Sequence, residues 1–325
     1  MAAAAAAAAW LVRDGVTHAL APGTSGVAVV KTLGAHAVYT SLRTLRGCPV
    51  SLGVHVERLQ RSARESGLAA PSREAVARLV AQAAGAVGSG QDAVVTVATD
   101  GVHLVAHSKA VAPPPAPPVR VAIVRAHRAF GEVKDAAWIT QREALPWPPG
   151  VNEQVMEEQD GSLLEGLSSN FFVVRNNGVI ETAGGGAVLS GSIRRLALRI
   201  AAAQGVGVAL RAPQWRERGQ WSDAFITSTS RLILPVDEIR DAHGNAWVFR
   251  DSEPPPGREP QQGREPQQDR YPDRYTARHP SLMKLLRGLE AELEVEASAS
   301  EQDVERATER AGEGGKRGSK PASSL

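Results

Sequence analysis

Cysteine is almost missing from this chain. Cys48 is the only one, which excludes an intrachain disulfide framework and a cysteine-rich zinc cluster and suits a reducing compartment. Histidine is limited to eight residues with no His-Glu-x-x-His set, so no metal site is expected. Charge of one sign is lacking as well. Lys plus Arg number 37 against 35 Asp plus Glu, a formal net charge of +2, and such a field gives no reason to expect nucleic acid or an acidic membrane surface as partner. A small-molecule ligand stays open. No apolar run is long enough to cross a bilayer: Ala2 to Ala9, followed by Trp10 and Leu11, is too short and has no basic region before it. The first basic residue, Arg13, has Asp14 beside it, unlike an Arg-rich, acid-poor transit peptide. Residues 1–30 are therefore read as an N-terminal extension, and the cytoplasm is the default compartment. Lysine is the last scarcity. The chain has Lys31, Lys109, Lys134, Lys284, Lys316 and Lys320, and only the first three lie in the part expected to fold. Any chemistry needing an amine that forms a Schiff base has a short list of candidates.

At 325 residues and 42% hydrophobic, the chain can bury one large core or two ordinary ones. Thr32 to Pro49 reads as a strand turning at Arg46-Gly47, and a helix follows in which Val54, Leu59, Ala63 and Ser66 or Gly67 trace one side while His55, Arg58 and Ser62 occupy a neighbouring one. Pro71-Ser72 opens a second helix carrying Val76, Leu79, Val80 and Ala83. Strands are expected at 93–98 and 102–106, with Asp100-Gly101 between them. The prolines of 113–118 can continue neither a ladder nor a helix and mark a linker between a smaller α+β domain over 31–112 and a larger one over 119–250. In the second, the pattern predicts strands at 119–124, 153–156, 170–175, 179–182, 225–227 and 232–236, a short helix after Lys134 and a helix over 192–203. From 251 to 325 the composition turns to Pro, Gly, Gln, Glu and Arg, with Gly-Arg-Glu-Pro-Gln-Gln repeated at 257–262 and 263–268. That tail is expected to be mostly disordered, apart from a possible helix at 281–294 through Leu282, Leu285, Leu286, Leu289 and Leu293.

Four blocks carry a family likeness. Leu163-Leu164-Glu165-Gly166-Leu167-Ser168-Ser169-Asn170-Phe171-Phe172-Val173-Val174, followed by Asn177-Gly178-Val179-Ile180-Glu181-Thr182, resembles the glutamate-glycine-serine-asparagine signature of class IV pyridoxal-phosphate enzymes. That family includes branched-chain and D-amino acid aminotransferases and aminodeoxychorismate lyase. Val54-His55-Val56-Glu57-Arg58-Leu59 with Ser62-Ala63, then Leu189-Ser190-Gly191-Ser192-Ile193-Arg194, then Phe225-Ile226-Thr227-Ser228-Thr229 with Leu234-Pro235-Val236, arrive in the family's order. The resemblance runs from about Gly34 to about Asp237. Any one block alone is weak.

The resemblance implies a two-domain α+β fold of the type IV class, with pyridoxal 5'-phosphate bound between the domains. Lys134, in Gly131-Glu132-Val133-Lys134-Asp135, falls where the family keeps its cofactor-bearing lysine at the end of an active-site strand. That amine also shuttles a proton. Glu165 matches the acidic partner of the pyridine nitrogen, which lets the ring accept an electron pair. Arg58 matches the phosphate-binding arginine, whose planar fork suits a phosphate. Ser192 and Ile193 would offer backbone N–H groups at a helix start, Ser228 and Thr229 the remaining hydroxyl contact, and Tyr39 an aromatic on the substrate side. The expected reaction passes an amino group between an amino acid and a 2-oxo acid, in a homodimer. A lyase releasing pyruvate with the same lysine is an alternative, and so is a non-catalytic cofactor-binding or interaction protein on the same fold. The chain also departs from the pattern. An Asn-Tyr pair four and five residues after the lysine is replaced by Trp138 and Ile139, the Gly-Asp-Gly before the N-terminal strand by Gly34-Ala35-His36-Ala37, and a common threonine by Ile193.

Overall fold

The computed structural model describes residues 8–88, 90–128, 133–249 and 278–317, with side chains as far as 307. The first alanines and the Gly-Arg-Glu-Pro-Gln-Gln repeats lie outside the described residues. The chain divides into two compact units, one of residues 1–112, 133–144 and 293–325, the other of 113–132 and 145–292.

The first unit is built on an antiparallel sheet. Its strands are β1 (Ala9–Arg13), β2 (Val16–Leu20), β3 (Val38–Leu45), β4 (Cys48–Pro49), β5 (Ala93–Thr99) and β6 (Leu104–Ala110), in the order β2-β1-β6-β5-β3-β4. Residues 9–20, expected in an extension, thus form a hairpin inside the sheet. Asp14 and Gly15 both take positive φ, 51° and 76°, between the register pair Arg13↔Val16, the primed two-residue turn that suits the twist of a hairpin. Arg46 and Gly47, at 51° and 89°, repeat the device between Leu45 and Cys48. Helices α1 (Gly26–Lys31), α2 (Leu52–Glu65), α3 (Arg73–Val87) and α4 (Ala136–Glu143) complete this unit, together with the part of the C-terminal helix from Leu293 onward. The apolar stripe of α2 is Leu52, Val56, Leu59 and Ala63, which join α3 and β5 residues in one core; Val54 is half-buried and Ser66 and Gly67 are exposed, so the expected stripe is corrected by two positions. Residues 133–144, expected in the larger domain, belong here, and with them Lys134.

The second unit holds β7 (Arg120–Val124), β8 (Glu153–Glu157), β9 (Leu163–Gly166), β10 (Asn170–Arg175), β11 (Ile180–Glu181), β12 (Val208–Ala209), β13 (Trp221–Ser228), β14 (Leu232–Val236), β15 (Glu238–Arg240) and β16 (Ala246–Val248), with α5 (Ser192–Ala203) and a 3-10 turn at Trp215–Gln220. Its main path runs β12-β11-β10-β9-β8-β7-β15-β16, while β13 pairs with both β10 and β14. Phe171, Val173, Ala224, Ile226 and Leu234 form part of one core, and Phe172 stacks on Phe225 at 4.6 Å.

Helix α6 (Pro280–Arg317) corrects the expectation of a mostly disordered tail. Leu282, Leu285, Leu286 and Leu289 are buried in the second unit, and Leu293, Ala297, Ser300 and Ala307 in the first. Just before it, Arg278 is fixed to Asp223 at 3.0 Å and to Asp237. In the first unit, the Ser300 hydroxyl accepts the Leu52 N–H at 3.0 Å. It caps α2 where Ser51, at φ 55°, makes no side-chain cap of its own. No helix among the described residues is long and apolar enough to cross a membrane.

Candidate active site

In the first unit, Lys134 lies outside any regular strand. Its carbonyl accepts the Tyr39 N–H at 2.9 Å, its N–H donates to the Ser62 hydroxyl at 3.3 Å, and Asp135 bridges to Val38. The expected strand-end position is corrected to a segment stitched to β3 and α2. Asp135 then caps α4 by accepting the Trp138 N–H at 2.8 Å. The Lys134 Nζ stands 4.9 Å from the centre of the Tyr39 ring, a distance at which a cation is attracted to the ring face.

Tyr39 is buried beside Ile139, which is fully buried in the same apolar cluster. The departure at Ile139 is thereby absorbed by packing. Arg58 and Ser62 are buried on α2 with His55, whose Nδ1 is 2.8 Å from the Thr40 hydroxyl. A buried polar stripe at 55, 58 and 62 beside the apolar one costs desolvation unless each group is partnered, which marks it as more than packing.

In the second unit, Glu165 is 3% exposed. Its Oε2 accepts the Asn170 Nδ2 at 3.0 Å and the Leu189 N–H at 3.0 Å, and its Oε1 meets the Arg128 guanidinium at 3.4 Å. Glu165, Asn170 and Thr227 are opposed across β9, β10 and β13. Asn170 also donates to the Leu189 carbonyl at 2.7 Å, fixing the segment that leads into α5.

Gly191 is the N-cap of α5 and has no side chain to cap it. An added Cβ there would fall 2.2 Å from the Asn170 Oδ1, so close packing and not backbone angle demands glycine. The first-turn N–H groups at Ser192 and Ile193 carry the positive end of the helix dipole, a setting that suits an anion. Arg194, 6% exposed, donates to the Ala183 carbonyl at 2.8 Å, while burial lowers its pKa against the opposing charge of Glu165. Its Nε and the Thr227 hydroxyl are buried with no hydrogen-bond partner among the described residues. Ser228 and Thr229 enter the turn between β13 and β14, both half-buried.

Each unit therefore gathers its own predicted residues. Tyr39, Arg58 and Lys134 sit in the first; Glu165, Ser192, Ile193, Ser228 and Thr229 sit in the second. Sequence reasoning did not single out Asn170, Arg128 or Arg194 as site residues. Asn170 was present in the quoted signature, and a strand-end asparagine five residues after a buried glutamate is the signal that could have shown it. No group of three or more metal-ligating side chains occurs among the described residues.

Known proteins resemble this chain. The model of the amino-transferase class IV family matches residues 37–239. A Thermotoga maritima protein taken for a branched-chain amino acid aminotransferase is similar at 21% identity and a TM-score of 0.62, over 76% of this chain and 91% of that one. An aminotransferase of Brucella abortus bound to the cofactor PLP is similar at 16% identity and a TM-score of 0.57, over 71% and 91%. A hypothetical aminotransferase of Mycobacterium tuberculosis in its apo form is similar at 17% identity and a TM-score of 0.62, over 88% and 98%. These likenesses establish the fold. No curated protein matches in sequence.

Proposed function

The chain belongs to the class IV aminotransferase family, and on that premise we propose that it moves an amino group between an amino acid and a 2-oxo acid with pyridoxal phosphate as cofactor. The residues present fit that cofactor. Gly191 keeps the start of α5 clear of side chain, and Glu165 is a buried carboxylate oriented by three donors. When bound, pyridoxal phosphate supplies an aldehyde that takes up the amine and a ring that accepts the electron pair left by the departing Cα proton.

The chain's own groups do the rest. Lys134 would carry the cofactor, and its amine would move a proton at the substrate Cα. Its main chain is held by Tyr39 and Ser62, so only the side chain needs to move. Glu165 holds the proton at the pyridine nitrogen. Arg58 and the N–H groups of Ser192 and Ile193 bind the phosphate, with the hydroxyls of Ser228 and Thr229 beside them. Tyr39 faces the substrate side. The observation that carries the reading is Glu165, 3% exposed, held by Asn170 and by the backbone leading into α5. A homodimer and a cytoplasmic setting belong to the same proposal, and light scattering on the purified protein tests the first.

The deciding experiment concerns Lys134. Borohydride reduction after incubation with pyridoxal phosphate, followed by peptide mass analysis, is expected to place a phosphopyridoxyl group on Lys134 and on neither Lys31 nor Lys109. The Lys134→Ala protein is expected to fold and to lose both the adduct and amino-group transfer. An adduct confined to another lysine would overturn the assignment.

A further inference from the structure

Glu153, at the start of β8, is fully buried. Its Oε2 accepts the hydroxyls of Ser168 at 2.6 Å and Ser169 at 3.0 Å and pairs with Arg231, while its Oε1 accepts the Gln154 N–H at 3.0 Å. Gly166 makes room for this closure, since a Cβ there would fall 2.2 Å from the Ser169 hydroxyl. Arg231 reaches outward from the same ion pair. Its Nη1 donates to the Asn152 carbonyl at 3.2 Å, its Nη2 to the Ser168 hydroxyl at 3.0 Å, and its Nε to the Ser228 hydroxyl at 3.3 Å. Its own backbone N–H donates to Ser228 at 3.2 Å.

The tethered turn is a demanding one. Ser228 and Leu232 form the last register pair of β13 and β14, and Leu232 takes φ 56° although it is not glycine. A side chain in the left-handed region persists only where its surroundings over-determine it. Arg231 supplies that restraint from inside the turn, with the fully buried Glu153 as its counter-charge.

We propose that Arg231 is a positioning residue for the cofactor phosphate, fixing the Ser228–Thr229 turn through Ser228 with Glu153 as its buried counter-ion. This rests on the reading that the Ser228–Thr229 turn contacts the phosphate. Both bonds from Arg231 to Ser228 use the Ser228 oxygen as acceptor, which leaves its O–H as the group it can donate.

The test is titration of the full-length apoprotein with pyridoxal phosphate and, separately, with pyridoxal, which lacks the phosphate. Arg231→Ala is expected to weaken pyridoxal phosphate by about tenfold, the scale of one lost charge-assisted contact, and pyridoxal much less. Arg231→Lys should recover part of the loss, since charge returns without the fork. If Arg231→Ala does not fold because Glu153 is left unpaired, the double variant Arg231→Leu with Glu153→Gln removes both charges and is read in the same way. Equal weakening of both ligands, or no weakening of either, overturns the proposal. Thr229→Ala separates the two levels. Loss of pyridoxal phosphate affinity in Thr229→Ala but not in the Arg231 variants refutes Arg231 alone, whereas no loss even in Ser228→Ala with Thr229→Ala refutes the phosphate reading of the turn, and this proposal with it.

Discussion

Ending the chain at residue 277 removes Arg278 and the whole of α6, and the structure sets the size of the effect. Leu282, Leu285, Leu286, Leu289 and Leu293 are each at most 2% exposed, and burying a leucine side chain contributes about 1.5–3 kcal/mol. Five of them amount to roughly 8–15 kcal/mol, comparable with the about 5–15 kcal/mol by which whole domains are stable. Arg278 adds to this. Its loss leaves Asp223, which burial already pushes above the usual carboxylate range, without its guanidinium partner, and breaking a buried pair costs about 3–5 kcal/mol. The first unit loses the Ser300 cap on α2, the helix that carries Arg58. The truncated protein is therefore expected to aggregate or unfold, seen as a lost peak in size exclusion and a lost cooperative transition in urea followed by tryptophan fluorescence. Leu289→Ala in the full chain gives the graded version, a destabilisation of about 2–5 kcal/mol. A truncated chain that stays monodisperse and unfolds at the same urea concentration would show that α6 contributes nothing to either core.

Two further outcomes are expected. Gly191→Ala should push the Asn170 carboxamide off Glu165, because the new Cβ would fall 2.2 Å from Oδ1; overpacking of this kind costs about 1–3 kcal/mol, and calorimetry with cofactor titration should show lower stability and weaker binding together. His107 is buried with its Nε2 2.9 Å from the Thr24 carbonyl, and burial lowers its pKa below the ordinary 6.5. A depressed histidine favours the folded state above the unfolded pKa, so its contribution should be lost as pH falls below 6.5. Urea midpoints measured between neutral and mildly acidic pH should drop less in His107→Gln than in the parent, and parallel drops would remove His107 as a cause.

The candidate site can be read in the sequence because its residues are concentrated in contiguous blocks. The signature around Glu165 and Asn170 places both side chains on adjacent strands, and the polar stripe at 55, 58 and 62 lies on one helix face next to the apolar one. The missed parts have physical reasons. The β1–β2 hairpin follows an alanine run without alternation, although Asp14-Gly15 is a strong turn signal. Past its leucines, helix α6 buries small residues, Ala297, Ser300 and Ala307, and small residues leave little mark on a hydropathy pattern. Arg231 was unreadable for a different reason. Its partner Glu153 is 78 residues away in sequence, and no local period links the two.

The stitching of Lys134 has a mechanical consequence. With its carbonyl held by β3 and its N–H by α2, the residue is a hinged arm on a fixed mount: four side-chain torsions give the amine its swing, and the sheet gives it a return address. Movement of the amine then asks for no backbone rearrangement, and its resting place is over the Tyr39 ring. An engineer seeking to move the amine would leave the lysine alone and shift its mount, one residue of register in β3 at a time.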